Sequence, residues 1–401
     1  MKSMGQIIGV TFLTILVLGS YPWGAWGGMI HVPVDQPTIQ AGIVAAAPGD
    51  TVLVTPGRYV ENIDFLGKDI VVASRYLLDP DYSYVRSTII DGSQPATPDT
   101  ASTVRFVSSE TAAAVLQGFT ITGGGGTEWV DPQLPTYTWR GGGGIFGFRA
   151  SPTIKNNLIT GNVVENGGTV DGAQGGGLTL FRGLPVIANN TIKDNYADYG
   201  AGVVLEYSQA RVCNNLIIGN HGGIVYGGGG FWTLGAAATP LTIENNTIAD
   251  NHSDTNGGAL YVWNSNLVLR NNVIWGNTQV NGAPIALTGS STIEVAYSDV
   301  EGGYAGMGNI DVAPGFSDTL SYLLDPDSPC IDTGDPDAAG NDPEDPAAPG
   351  EARWPAQGGL RNDMGAYGGP GCMFFEPDAS AIEDHGDGLL QGRMGRAIVL
   401  H

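Results

Sequence analysis

The sequence repeats one short pattern five times between Asn156 and Asn277. Each copy reads Asn-Asn, a variable residue, Ile, two variable residues and Asn. The copies begin at the following asparagines: Asn156, Asn189, Asn214, Asn245 and Asn271. Because successive copies start 33, 25, 31 and 26 residues apart, the units share a core and differ in their inserted loops. A recurrence of this length is typical of a solenoid, in which each repeat contacts only its neighbours.

A second marker keeps the same register as the asparagines. An aliphatic residue stands 12 residues before the second asparagine of three copies, at Leu178, Val203 and Leu260. Short stretches with β-branched alternation, bounded by Gly or Asn, predict strands of a few residues separated by tight bends. We expect the three aliphatic residues to point inward. A second inward column is predicted at Ile154, Ile187, Val212, Ile243 and Leu269.

The repeated asparagines have a structural explanation. After Gly, Asn is the residue that best tolerates the positive φ angles of tight bends. Where equivalent asparagines stack at the strand spacing of about 4.8 Å, their amides can hydrogen-bond along the stack. We therefore expect internal asparagine ladders. The isoleucine of each copy should form a single interior file, made of Ile159, Ile192, Ile217, Ile248 and Ile274.

The Gly-rich, Asn-Asn-x-Ile pattern resembles the rungs of right-handed parallel β-helix proteins of the pectate-lyase-like superfamily. The resemblance covers roughly Ile30 to Leu320. It implies an all-β fold, a single-stranded right-handed parallel β-helix. That fold hosts lyases, hydrolases, esterases, epimerases, phage tailspikes and adhesins, so the resemblance implies no single activity.

The N-terminal end differs from the repeat. Residues 1–28 carry Lys2 as their one charged residue and an apolar run from Ile7 to Leu18, which predicts a cleaved secretion signal. The run is too short to span a bilayer comfortably, so we expect no membrane span in the mature chain. Residues 37–47 can form a short helix that caps the first open rung. The β-helix itself is assigned to residues 29–320.

The C-terminal end is predicted to be an irregular cap over residues 321–372. It contains Ser-Pro-Cys-Ile-Asp-x-Gly, from Ser328, and Asp-Met-Gly-Ala-Tyr, from Asp363. These motifs resemble the closing module of many bacterial secreted β-helix proteins. Cys330 and Cys372 can close a disulfide loop in an oxidising compartment. The tail, residues 373–401, has no repeat marker, and we expect it to be poorly ordered.

An acidic stretch lies between the two C-terminal motifs. Carboxylates at alternating positions can bind calcium, which takes six to eight oxygen ligands. The candidate ligands are Asp335, Asp337 and Asp342. The alternative is a solvated acidic loop without a bound ion.

The chain is strongly acidic. Its 40 acidic and 17 basic residues give a formal net charge of −23. Nucleic acid and anionic membrane surfaces are therefore poor partners, because phosphate binding needs a basic footprint, and we expect no nucleic-acid partner. The charge also disfavours an acidic polysaccharide unless a cation bridges the two. Together with the predicted signal, the composition indicates a secreted or cell-surface protein.

One outward column of the predicted solenoid is aromatic. Strand alternation places the following side chains on one outer face: Phe146, Thr179, Val204, Trp232 and Tyr261. Arg182, Glu206 and Trp263 lie close to this column on the same strands. Exposed rings at multiples of about 4.8 Å can stack on sugar rings while charged neighbours address hydroxyls. The alternative is that loops 127–139 and 162–174 fold over the rings and bury them.

Two classes of function remain open. The aromatic column favours a protein that binds or scaffolds polysaccharide through an outward face of the solenoid. The alternative is a polysaccharide lyase or glycoside hydrolase, which needs a base or two carboxylates about 5 to 9 Å apart. Asp194 and Asp250 lie two units apart, roughly 10 Å by rung spacing, which is marginal. His221 and His252 follow the last asparagine of their copies and are interpreted as loop residues, so no catalytic residue is assigned.

Overall fold

The computed structural model describes residues 27–132, 134–235 and 240–374. Nearly all of the predicted secretion signal lies outside these residues, and so does the tail from residue 375 onward. Within the described part, the chain winds as a solenoid of short parallel strands that stack into three long sheets. The predicted all-β parallel fold is confirmed.

We number the three long sheets by their place in each turn of the chain. Sheet 1 contains Met29–Val32, Thr51–Val54, Val71–Ser74, Val115–Gln117, Thr153–Lys155, Val186–Ala188, Arg211–Cys213, Leu241–Glu244, Asn266–Arg270 and Thr292–Ala296. Sheet 2 contains Gly57–Val60, Thr88–Asp91, Thr120–Thr122, Leu158–Thr160, Thr191–Lys193, Leu216–Ile218, Thr247–Ala249, Val273–Trp275 and Asp299–Val300. Sheet 3 contains Ile63–Asp64, Val104–Phe106, Ile145–Phe148, Leu178–Gly183, Val203–Ser208, Phe231–Leu234, Leu260–Trp263 and Ile285–Thr288.

Two smaller sheets complete the turns. A side ladder of two-residue strands links sheets 2 and 3, at Val163–Val164, Tyr196–Ala197, His221–Gly222, His252–Ser253 and Thr278–Gln279. A cover sheet forms outside the solenoid from Thr100–Ala101, Gly126–Val130, Thr138–Gly141 and Gly172–Gln174. The two central strands of the cover sheet pair antiparallel, unlike the rungs beneath them.

Short helices occur at the edges of the solenoid. In the described part these are two α-helices, Ile39–Ala45 and Ser83–Ser87, and two 3₁₀ turns, Arg75–Leu77 and Ala338–Gly340. The first helix confirms the predicted N-terminal cap. Its N-cap Thr38 accepts a hydrogen bond from the backbone N–H of Ala41, and its buried Ile39 and Ile43 pack against the first rung.

The predicted interior register is confirmed in both columns. The isoleucine file pairs one strand to the next through Ile159, Ile192, Ile217, Ile248 and Ile274. The sheet 1 column pairs through Ile154, Ile187, Val212, Ile243 and Leu269. All ten side chains are at most 1% exposed. Each buried aliphatic side chain of this kind stabilises the fold by about 1.5 to 3 kcal/mol.

Two asparagine ladders run through the interior, as predicted. The second asparagines of the copies form one ladder, with Nδ2 to Oδ1 distances of 3.1, 3.0, 2.9 and 3.2 Å from Asn157 to Asn272. The last asparagines form the other, with distances of 2.9, 3.0, 2.9 and 2.9 Å from Asn162 to Asn277. The same amides also bond backbone groups at the bends, so the ladders satisfy polar atoms that would otherwise be buried without partners.

The first asparagine of each pair makes the bend. All five have φ between 52° and 56°, the left-handed region that Asn tolerates. In the last three copies these residues also dock the C-terminal segment. Asn214 Nδ2 donates to the carbonyl of Gly368 at 2.7 Å, Asn245 Nδ2 donates to Oδ1 of Asn362 at 2.8 Å, and Oδ1 of Asn271 accepts from the N–H of Asp335 at 2.7 Å.

The C-terminal segment packs along the flank of the solenoid. Its Tyr322 and Tyr367 lie in a buried cluster with Leu216 and Ile218 of sheet 2. The last rung is instead covered by residues 301–312. There the Ser298 hydroxyl accepts from the N–H of Asn272 at 3.1 Å, and Oδ1 of Asn309 accepts from the N–H of Ser298 at 3.0 Å, so Ser298 and Asn309 extend the asparagine pattern by two positions. The segment predicted as an irregular cap, residues 321–372, therefore packs along the side of several rungs.

Candidate functional site

The outward column of sheet 3 has the predicted register. Phe146 pairs with Thr179, Thr179 with Val204, Val204 with Trp232, and Trp232 with Tyr261. The inserted loop before Trp232 does not disturb this alignment. The face thus carries a continuous outward column along the solenoid axis.

The rings of this column are buried, which decides between the two alternatives left by the sequence. Phe146, Trp232 and Tyr261 are 2%, 3% and 8% exposed. The cover sheet explains the burial of Phe146, at the N-terminal end of the column, because the Trp129 ring centroid lies 6.3 Å from that of Phe146. Three of its four strands overlap the two loops predicted as possible covers, 127–139 and 162–174, and the fourth is Thr100–Ala101. The column therefore packs under loops, and its rings are not an open sugar platform.

Further along the face, aromatic side chains cover one another. Trp232 and Tyr261 share a buried cluster with Tyr199, and the ring centroids of Tyr199 and Trp232 are 5.4 Å apart. The predicted residue Trp263 lies at the margin, half-buried, with its centroid 5.5 Å from that of the exposed Tyr226. Part of the aromatic surface therefore reaches solvent at this margin.

A second outward feature lies at the ends of these strands, where the chain turns from sheet 3 toward sheet 1. Arg149 and Arg182 occupy equivalent turn positions in adjacent rungs. The Arg149 guanidinium lies 5.3 Å from the Phe148 ring centroid. The Arg182 guanidinium lies 5.2 Å from the Phe181 centroid and 5.7 Å from that of Tyr207. We call Phe148, Arg149, Phe181, Arg182 and Tyr207 the arginine–aromatic turn.

The backbone of this turn favours other residue types. Arg149 and Arg182 have φ of 54° and 59°. A left-handed conformation costs an L-residue other than Gly or Asn about 1 to 2 kcal/mol. The equivalent turn of the next rung uses Tyr207, with φ of 50°, and the two rungs after it use Gly235 and Asn264, which adopt this conformation more cheaply. Arg149 is exposed and Arg182 half-buried, and within the described residues neither forms an ion pair. Sequence reasoning found Arg182 but missed Arg149, whose signal was the repeat of an arginine one rung earlier.

The predicted residue Glu206 lies on the same strand as Tyr207, beneath the cover. It is 5% exposed, and burial raises the pKa of its carboxyl to about 8. Glu206 is therefore predominantly protonated and uncharged at neutral pH. A protonated carboxyl of this kind can donate a hydrogen bond or a proton. The two clefts described on the surface are lined by other residues.

The raised pKa of Glu206 predicts a pH effect on stability. Between the ordinary pKa of a glutamate and about 8, the folded chain holds a proton that the unfolded chain releases, so folding becomes less stable as pH rises through this window. Glu206→Gln removes this dependence. We expect the variant to melt close to the wild type at pH 4.5 and a few degrees higher at pH 8.5. Glu244→Gln on sheet 1 is the control, and equal gains from both changes at pH 8.5 would contradict the assignment.

The three predicted calcium ligands form hydrogen bonds and an ion pair within the chain. Asp335 pairs with Arg270 at 2.9 Å between Oδ2 and Nη1. Asp337 accepts from the N–H of Ala339 at 3.0 Å. Asp342 is buried and accepts from the N–H groups of Asp363 and Gly369. The three carboxylates do not meet as a ligand cluster in the described part of the chain, because each one fixes a different turn of the flanking segment.

The predicted disulfide is not formed. Cys330 and Cys372 are both free thiols in the structure. Cys330 is fully buried beside Met364 and donates to the carboxylate of Asp299 at 3.3 Å. Cys372 instead lines a surface cleft with Trp354. The two cysteines belong to different contacts of the same segment, which spacing in the sequence does not reveal.

Two histidines interpreted as loop residues lie on strands. His221 and His252 are paired residues in adjacent strands of the side ladder. With Asp254 they form a group whose possible metal-ligating atoms all lie within 4.8 Å of one another, the one such group among residues 27–132, 134–235 and 240–374. The signal in the sequence was their shared position, directly after the last asparagine of consecutive copies.

Comparison with known proteins agrees with this architecture. The family model described as right handed beta helix region matches residues 106–236. The match and the stacked parallel sheets together show that the chain folds as a right-handed parallel β-helix. No curated protein matches the sequence. Among the described helices, none has the length and apolarity of a membrane span.

Proposed function

We propose that this right-handed β-helix is a secreted or cell-surface protein that binds a carboxylate-bearing polysaccharide at the arginine–aromatic turn. The observation that carries the proposal is the pair of guanidiniums, Arg149 and Arg182, stacked on aromatic rings without a carboxylate partner in the described residues. A planar guanidinium binds a carboxylate through two parallel hydrogen bonds. The half-buried rings of Phe148 and Tyr207 beside the guanidiniums supply contact for the sugar ring, whereas Phe181 is fully buried.

The spacing of the turn suits a polymer. Arg149 and Arg182 occupy equivalent positions on adjacent rungs, which are separated by about 4.8 Å. That interval is close to the length of one sugar residue, so the two guanidiniums can address one residue or two neighbouring residues of a chain. Trp263 and Tyr226 lie further along the same face and extend the possible contact surface.

The net charge of −23 opposes binding of an acidic polymer at long range. At physiological salt this repulsion is largely screened beyond about 8 Å. At short range the turn carries two guanidiniums, Arg149 and Arg182, which form no ion pair in the described residues, and burial keeps Glu206 predominantly uncharged at neutral pH. The Asp131 carboxylate also acts on Glu206 and Tyr207, but the two guanidiniums outnumber it. The local charge thus supplies what a bridging cation would otherwise have to supply.

Retention on immobilised polysaccharide tests the proposal. The double variant Arg149→Gln/Arg182→Gln keeps the turn conformation but removes both charges. Since a hydrogen bond to a charged group contributes about 1.5 to 3 kcal/mol, we expect the variant to bind a uronate polymer at least tenfold more weakly. Affinity electrophoresis through gels that contain uronate or neutral polymers measures the effect.

The control is Arg211→Gln, which removes an exposed arginine from sheet 1, on a different side of the solenoid. It should retain wild-type mobility in the uronate gel. If the double variant migrates like the wild type in every uronate gel, or if the wild type is retarded only by neutral polymers, the assignment to a carboxylate-bearing glycan is wrong. A lyase or hydrolase activity has no specific observation in its favour, because Glu206 is closed off beneath the cover.

A further inference from the structure

The side ladder brings together three groups that the polysaccharide proposal does not use. His221 and His252 are in register on neighbouring strands, with ring centroids 4.8 Å apart and ring planes at 79°. Asp254 follows the second histidine by two residues. Its carboxylate lies 3.4 Å from Nε2 of His221 and 3.5 Å from Nε2 of His252. One carboxylate therefore faces the same ring nitrogen of both imidazoles.

These distances fit the coordination of a small divalent ion. Zinc binds histidine nitrogen and carboxylate oxygen at about 2.0 to 2.2 Å, so neighbouring ligands of a tetrahedral site are about 3.4 Å apart. The two measured nitrogen-to-oxygen distances match that edge. The mixed set of two imidazoles and one carboxylate suits zinc and related transition metals, whereas calcium prefers an all-oxygen shell.

The backbone holds the three ligands in place. His221 and His252 lie on strands that are hydrogen-bonded to their neighbours above and below. The N–H of Asp254 donates to the carbonyl of Gly222 at 2.8 Å, which ties this residue to the preceding rung. The arrangement thus depends on the stacking of the solenoid, and not on a free loop.

A second interaction orients one imidazole. Nδ1 of His252 lies 2.8 Å from Oγ1 of Thr278 on the next rung. A histidine that binds a metal through Nε2 carries its proton on Nδ1 and donates it to an outer partner. Thr278 occupies that partner position. On the other side, the ring of Tyr196 meets the ring of His221 edge to face, with centroids 5.9 Å apart.

We infer that His221, His252 and Asp254 form a surface binding site for a transition-metal ion of the zinc class. The three ligands leave at least one coordination position for water or an external ligand, because His221 is exposed and the other two are half-exposed. Asp254 pairs with no lysine or arginine in the described residues, so its negative charge is available to the ion. The inference does not depend on the polysaccharide proposal.

Calorimetric titration of the chelator-treated full chain with zinc chloride tests the site. We expect one equivalent to bind and the melting temperature to rise with zinc concentration. His252→Gln and Asp254→Asn each remove a ligand, and stoichiometric binding should be lost. Thr278→Val removes only the outer partner, so it should weaken binding by about 10- to 100-fold. His31→Gln is the matched control, since His31 faces a single carboxylate, Asp35, at 3.0 Å.

Melting curves without zinc show whether each variant is folded. Cobalt provides a readout of geometry, because a four-coordinate site gives intense visible absorption that should disappear in His252→Gln. Failure of the folded wild type to bind one equivalent of zinc would overturn the inference. Equal zinc affinity in the wild type, His252→Gln and Asp254→Asn would overturn it as well. Polysaccharide retention would be unaffected by either result.

Discussion

Ile243→Asp is expected to prevent the chain from folding as a complete solenoid. Ile243 is fully buried in the inward column of sheet 1, between Val212 and Leu269. The change removes about 1.5 to 3 kcal/mol of apolar burial. It also buries a carboxyl without a partner, which costs several kcal/mol more. The sum is comparable to the whole stability of a typical domain, about 5 to 15 kcal/mol. Circular dichroism melting should show no cooperative transition near that of the wild type.

The matched control for this prediction lies one residue away. Thr242 is on the same strand but faces outward, opposite Arg211. Thr242→Asp introduces the same charge without entering the core, and we expect its melting temperature to stay within a few degrees of the wild type. If the two variants melted alike, the inward and outward assignments of this strand would have to be exchanged.

Asn215→Leu should produce the second-largest loss of stability. The Asn215 amide donates to the carbonyls of Ile187 and Cys213 at 2.9 and 3.0 Å and to Oδ1 of Asn246 at 2.9 Å. Its Oδ1 accepts from the backbone and side-chain nitrogens of Asn190, both at 3.0 Å. Leucine has a similar volume but leaves these groups unpaired. Because a buried unsatisfied group costs about 1 to 3 kcal/mol, the total should reach several kcal/mol.

Chemical denaturation of Asn215→Leu and Asn281→Leu measures this effect. Asn281 is exposed, and its backbone N–H makes its hydrogen bond to Thr255. The control should unfold at nearly the same denaturant concentration as the wild type. A similarly small shift for Asn215→Leu would show that the ladder contributes little to the solenoid.

The rungs were predictable because the repeat carries its own register. Two markers at fixed separation set which residues face inward, so Ile159 to Ile274 and Asn157 to Asn272 could be placed from the amino-acid sequence alone. Strand alternation then fixed the outward column, including Trp232 behind a longer loop. These predictions depend only on local periodicity and on the identity of stacked positions.

The environment of the outward column was not predictable in the same way. Whether Phe146 and Tyr261 are open or covered depends on loops that differ between repeats. Nothing in the repeat itself specifies that residues 126–130 and 138–141 form a hairpin over the face. The residues of the aromatic column therefore lie in the predicted outward register, and the alternative in which loops cover the rings is the one that the structure shows.

The remaining differences also arise from contacts distant in sequence. Cys330 and Cys372 have a spacing compatible with a disulfide, yet the fold places one thiol against Asp299 and the other at a surface cleft. The histidine pair shows the converse. His221 and His252 can be recognised as candidate metal ligands only from the structure, in which Asp254 faces both rings. Two histidines at the ends of repeats form no distinctive sequence motif.

The order of the rungs can be tested with one native cysteine. Cys213 is the direct cross-strand partner of Glu244, whereas Thr242 is two residues out of register with it. Direct partners lie about 4.8 Å apart, within the Cα separation of 4.4 to 6.8 Å that a disulfide accepts. A residue two positions away on the neighbouring strand is about 8 Å distant, beyond that limit.

Oxidative crosslinking of Glu244→Cys and Thr242→Cys, followed by peptide mapping, therefore measures the register of the coil directly. Turns stacked in the order described give a disulfide between position 213 and position 244 in the first variant and none between 213 and 242 in the second. A bridge to position 242 without one to position 244 would contradict the stacked coil on which the ladders, the arginine–aromatic turn and the metal site all depend.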